Sequence, residues 1–180
     1  MHAILKKFQD GDRRSIGKVD EVVDQVLGSV SLFEELIDGL FISDPVVRMR
    51  SADAVEKITL VKADLLKPYK RKLMHLAADT EQQEVRWHMA QILPRLTLKP
   101  GDRKTIVEIL FTYLNDKSKI VVTFALQALA DFAAQDKKLR PRVVHVLEDL
   151  TETGSPAIKN RGRKLLQKLK PQPGQAGIEY

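Results

Sequence analysis

The chain has 180 residues, no cysteine and a formal net charge of +6, with 43% apolar and 30% charged side chains. That balance supplies a core for one domain, or for about four to five stacked helical hairpins. The missing thiols exclude a disulfide framework and thiolate chemistry, and they fit a reducing compartment. The opening stretch MHAILKKFQDGDRR lacks the apolar core of a secretory signal, and apolar runs such as Ile120 to Val122 are too short to span a bilayer. The expected location is the cytoplasm, with no membrane insertion.

Charge is unevenly placed. Residues 1–44 carry five basic and nine acidic side chains, and residues 45–80 carry eight and four. Residues 81–154 are near balance, with eleven and ten, and residues 155–180 carry six and one. A layout of this kind steers an anionic partner toward the C-terminal half, or is the ordinary solvated face of exposed helices.

In chain order, Val19, Val22, Val23, Val26 and Leu27 keep the spacing of an amphipathic helix. Ser31, three residues before Glu34, predicts a capping box for the next helix, so the first hairpin is expected at about 18–28 and 31–42. Ser43 or Asp44 followed by Pro45 predicts a capped helix start. The helix after it is expected to bury Leu65, Leu66, Tyr69, Leu73, Leu76 and Ala77. A third pair is expected at about 83–93 and 102–115, with Pro94 ending its first helix. A fourth is expected at about 118–133 and 139–150, and a last helix at about 156–169. The prolines of Leu66-Lys67-Pro68, Leu98-Lys99-Pro100 and Leu139-Arg140-Pro141 are expected at helix entries, because a proline inside a helix costs about 3 kcal/mol. Residues 1–169 therefore read as a single domain, with no linker inside 15–169 and a flexible tail over 170–180.

The elements repeat. Val-Arg-x-x-x-Ala followed by an apolar pair opens at Val47 and Val85, and related stretches open at Val121 and Ile158, at spacings of 38, 36 and 37 residues. Two helices per unit of that length are the mark of an α-solenoid. The units resemble HEAT repeats through Asp44-Pro45, Val47-Arg48, Ala52, Ala54-Val55 and Leu66-Lys67-Pro68, and through Val85-Arg86, Ala90 and Ile92-Leu93. Val122 and Lys159 depart from the Arg position, and Gly162 stands where a bulkier residue is common. The resemblance implies an all-α fold, an armadillo-like solenoid of stacked antiparallel helical hairpins wound as a right-handed superhelix. It implies first helices outside and second helices inside.

Such repeats act as binding surfaces, so the expected function is a non-enzymatic protein-binding scaffold or adaptor, with no cofactor. Off the apolar stripes of the second helices stand Lys67, Lys70 and Arg71, then Arg103 and Lys104, then Arg140, Arg142 and His145. These are the candidate partner-binding residues. They would line a positive concave groove, interrupted by Asp102, Glu108, Glu148 and Asp149. Another protein is the expected partner, and nucleic acid held through phosphate contacts is the alternative. The sequence leaves the oligomeric state open.

Chemistry finds little purchase. None of His2, His75, His88 and His145 forms His-x-x-x-His, and a zinc site would need carboxylates from distant helices. His88 is expected half-buried or at the surface. Gly154-Ser155-Pro156 reads as a turn and helix entry, not a phosphate loop. Asp44, Asp64, Asp102 and Asp136 stand near helix starts as caps. Some HEAT-like solenoids are DNA glycosylases or bilin lyases, but the glycosylase set does not map onto Trp87, Tyr69 and Tyr113, and no bilin pocket is legible. An enzyme of either kind is the third possibility.

Overall fold

The computed structural model describes residues 2–9, 11–12 and 14–170, and the expected tail beyond 170 lies outside them. Among the described residues there are ten α-helices, three short 3-10 segments and no strand. No helix there is long and apolar enough to cross a membrane. The chain divides into two compact units, Met1–Arg103 and Lys104–Tyr180. The division falls inside a helix, Pro100–Tyr113, so no loop linker marks it.

The first unit holds α1 (Ala3–Lys6), α2 (Val19–Gly28), α3 (Phe33–Gly39), α4 (Pro45–Val61), α5 (Lys70–Asp79) and α6 (Gln83–Ile92). Its centre is α4, which packs on α2, α3, α6 and the 3-10 segment Ala63–Tyr69. The helix starts as the sequence dictates. Oδ1 of Asp44 accepts from the Val46 and Val47 amides at 2.8 and 3.3 Å, and Pro45 fills the first helical position, where no amide hydrogen is needed. Val47, Ala52, Ala54, Val55 and Ile58 are all fully enclosed. A helix covered on this many sides cannot show a clean apolar stripe, and full burial of each larger side chain is worth about 1.5–3 kcal/mol.

The arginine of the repeated Val-Arg pair has a structural use. Arg48 donates to the carbonyls of Ile42 and Ser43 at 2.8 and 2.9 Å, and Arg86 donates to that of Thr80 at 2.7 Å. Each guanidinium thus fastens the turn that precedes its own helix. A charged donor satisfies carbonyls that the turn leaves without backbone partners. Gln82 joins the two turns, accepting from Arg48 Nε and donating to the Pro45 carbonyl, both at 2.8 Å.

One feature of this unit differs from expectation, and another was not foreseen. Ser31 does not cap α3: it lies inside a 3-10 turn, Val30–Leu32, and its hydroxyl pairs with that of Ser29. The N-terminal stretch is also part of the core, with Ile4, Leu5 and Phe8 buried and α1 packed on α3.

The second unit continues the long helix α7 (Pro100–Tyr113) into α8 (Lys119–Gln135), α9 (Arg140–Thr153) and α10 (Pro156–Leu169). Here α10 packs on α9 and α8. The expected prolines sit at entries: Pro100 opens α7, Pro141 and Pro156 lie in the first turns of α9 and α10, and Pro68 lies in the 3-10 segment before α5. Asp136 accepts from the Lys138 and Leu139 amides ahead of α9 at 2.9 and 3.3 Å, as an entry residue should. Leu129 and Leu147 are fully enclosed, and Arg161 donates to Gln127 Oε1 at 2.7 Å between α10 and α8.

Candidate functional site

The eight basic candidates fall four in each unit, and Lys67, Lys70, Arg140 and Arg142 have acidic or backbone partners. In the first unit Lys67 pairs with Asp64 at 2.8 Å, and Lys70 pairs with Asp102. That bond, donated by the Lys70 ammonium, holds the Asp102 carboxyl below the usual carboxylate range. Arg71 is exposed, and Arg103 is half-buried. In the second unit Arg142 grips both oxygens of Glu108 at 2.5 and 3.0 Å, and its guanidinium lies 3.6 Å from the centre of the Phe111 ring. Arg140 donates to the carbonyls of Ala133 and Ala134 at 3.4 and 3.3 Å, closing the turn after α8. Lys104 and His145 are exposed.

A recess in the first unit carries the opposite charge. An open depression of about 350 Å³ lies between the Val30–Leu32 turn with α3 and the Ala63–Tyr69 segment. The half-buried Tyr69 ring lines it, backed by the buried Phe33 ring, with ring centres 6.0 Å apart and planes tilted by 54°. Glu34 and Asp64 stand among its lining residues, with Val30, Leu65 and Pro68 supplying the apolar remainder. The Tyr69 hydroxyl is pushed above its ordinary pKa by burial and then by the charges of Glu34 and Asp38. Asp64 is held by Lys67, so Glu34 is the lining carboxylate without an ion pair among the described residues. Aromatic faces and carboxylates together suit a cation, whose charge each attracts.

Side chains at this end of the unit are unusually apolar for a surface. Val30 is 46% exposed, Leu60 65% and Val61 71%, the last two ending α4 just before the Ala63–Tyr69 segment. Val30, which lines the recess, is exposed apolar surface that a partner can cover.

A second cluster is buried between α4 and α6. Asp53, Glu56 and His88 bring one oxygen each and one ring nitrogen within 4.8 Å of one another. The His88 expectation was wrong: its side chain is enclosed, because α6 lays it against α4 and burial drives its pKa down to about 4, with the Lys57 charge adding to the effect. The ring is therefore neutral at pH 7. Arg95 binds Oε1 of Glu56 and donates to the Thr59 hydroxyl at 2.9 Å, while Lys57 sits 3.5 Å from Oδ2 of Asp53 and 2.7 Å from Asp20. Sequence reading missed this cluster. The signal was there in the spacing: Asp53 and Glu56 are three apart on one helix, and His88 sits three residues after Val85, just as Arg161 sits three after Ile158.

The aromatic residues weighed for a glycosylase are placed by packing. Tyr113 is buried in the core, Tyr69 lines the recess and Trp87 is half-buried against His88, with ring centres 5.6 Å apart. Of the four aspartates expected as caps, Asp44 and Asp136 accept helix-entry amides, Asp102 accepts the Lys99 amide ahead of α7 and also holds Lys70, and Asp64 holds Lys67. No protein-family model matches the chain, and no curated protein matches it in sequence.

Proposed function

We propose that this chain is a non-enzymatic protein-binding scaffold of the HEAT-repeat type, working in the cytoplasm, and that the recess beside Tyr69 receives a basic side chain of its partner. The observation that carries this reading is the joining of an aromatic wall, two carboxylates and exposed Val30 in one depression. A partner lysine or arginine would place its charge against Tyr69 and its donors toward Glu34, while an apolar flank covers Val30. The fastened turns at Arg48 and Arg86 support the repeat reading, since equivalent residues do equivalent work in successive units.

Nucleic-acid binding is the second reading, favoured by α10, where Arg163 and Lys164 are exposed. Calorimetric titration with short basic peptides, acidic peptides and duplex DNA separates the two. The scaffold reading expects micromolar binding of basic peptides, lost in Tyr69→Ala and Glu34→Lys. Salt-sensitive binding of DNA, unchanged by those substitutions and with no peptide binding, would replace it with the second.

A further inference from the structure

We propose that Asp53, Glu56 and His88 form a binding site for one divalent transition-metal ion of the zinc class. The three donors come from two packed helices, and each has an atom free to bind. Arg95 takes Oε1 of Glu56 and Lys57 lies beside Oδ2 of Asp53, which leaves Oε2 and Oδ1 without a hydrogen bond among the described residues. His88 is 8% exposed, and its Nδ1 is enclosed with no hydrogen-bond partner. A buried polar nitrogen without a partner is costly and calls for an explanation.

The repeat supplies a comparison within the chain. Arg161 stands at the position of His88 in its own unit, and Gln127, six residues after Val121, stands at the position of Asp53, six after Val47. Arg161 is long enough to reach Gln127 directly, at 2.7 Å. His88 is shorter and makes no such bond to Asp53 or Glu56, although a ring nitrogen comes within 4.8 Å of both carboxylates. An ion spans that kind of gap. Bonds of about 2.0–2.2 Å from a metal to imidazole nitrogen and carboxylate oxygen set donors roughly 3.3 Å apart around a tetrahedron, so the cluster draws in by no more than about 1.5 Å.

One nitrogen with two carboxylate oxygens suits zinc and its neighbours rather than calcium or magnesium, which take oxygen donors in larger number. Two cations stand nearby and bear on the balance. Arg95 stays on the far oxygen of Glu56, where it orients that ligand as outer partners of metal ligands do. Lys57 already holds Asp20 at 2.7 Å and keeps that partner when an ion takes Asp53. Three protein ligands leave one position for water.

The test is zinc binding to the untagged full chain after chelator treatment, measured by competition with a chromophoric indicator. Cobalt(II) absorption reports the geometry. The expected result is one zinc ion per chain, a tetrahedral cobalt band, and affinity weakened at least roughly tenfold in Asp53→Asn, Glu56→Gln and His88→Ala. His75→Ala, altering an exposed histidine of the same unit, should bind as the parent does. Far-UV circular dichroism checks each fold, and should His88→Ala unfold, the two near-isosteric carboxamide variants decide. No binding by the parent chain, binding of magnesium but not zinc, or unchanged affinity in folded variants would each overturn the proposal.

Discussion

The Arg50 guanidinium donates from Nη1 to the carbonyl of Phe8 at 2.8 Å, tying the middle of α4 to a residue forty-two positions upstream. Its Nε donates to the Ser15 carbonyl at 3.1 Å, and Nη2 donates to that of Asp12 at 3.3 Å. The arginine is 1% exposed, the most bulky of the fully enclosed side chains. One charged fork thus satisfies three carbonyls of a segment that has little regular structure of its own. Arg50→Met keeps much of the volume and removes every donor. Chemical denaturation should show a loss of about 1–3 kcal/mol, because the Phe8 carbonyl stays enclosed without a donor while those of Asp12 and Ser15 can turn to water. Gly17, at φ +56 with its missing side chain 2.8 Å from the Arg50 Cζ, reports on the same clamp. Gly17→Ala should cost about 1–2 kcal/mol through backbone strain alone.

Gly162 departs from the residue size expected at its repeat position, and the packing of α10 on α9 accounts for it. A Cβ there would run into the Thr151 hydroxyl. Alanine ordinarily strengthens a helix by about 0.8–1 kcal/mol over glycine. At this site Gly162→Ala should instead lower the melting temperature, and Gly162→Ala with Thr151→Ala should recover much of the loss. Independent, additive effects of the two changes would contradict the close approach.

Leu110 and Leu147 are fully enclosed, so alanine at either should cost roughly 2–5 kcal/mol in denaturant titration. Lys70 is a poor surface control because it is bound to Asp102. Arg71→Ala is the better one, and it should stay within about 0.5 kcal/mol.

How much of this was legible differs residue by residue. The Asp44-Pro45 start of α4 was readable because capping is local: the acceptor, the missing amide and the amides they serve lie within four residues. Pro100, Pro141 and Pro156 were readable for the same reason. The Ser31–Glu34 box was equally local and did not form, since the Val30–Leu32 segment turns more tightly and keeps Ser31 inside it. Arg50 could not be read at all. An arginine on a helix looks like a solvent-facing residue until the loop it fastens, 35 to 42 residues away, is folded over it. Asp102 and Glu108 were expected to interrupt the basic candidates, and they pair with Lys70 and Arg142, whereas the local Asp64–Lys67 pair was not read. The recess combines Phe33 and Tyr69, which sequence separates by a whole helix.

Acid should weaken the first unit through His88. Its folded pKa of about 4 lies below the ordinary value of 6.5, so the unfolded chain takes up the proton first. The stability present above pH 6.5 is then lost as pH falls toward 4, by up to about 3 kcal/mol. Asp53 works the other way, since burial raises its carboxyl above 3.8 and the folded state gains the proton first as pH drops toward that value. The loss should therefore be steepest in the upper part of the window. Urea titrations at pH 7, 6, 5 and 4.5 measure it, and His88→Asn should flatten the slope.

The central claim is that the recess beside Tyr69 is where a partner's basic side chain binds. Amide chemical-shift mapping of the ¹⁵N-labelled chain, titrated with a short arginine-containing peptide, tests it most directly. Shifts should concentrate at residues 30–34 and 64–69, and they should vanish in Tyr69→Ala while the rest of the spectrum is retained. Shifts confined to the basic face of α10, or no saturable shifts at millimolar peptide, would contradict it.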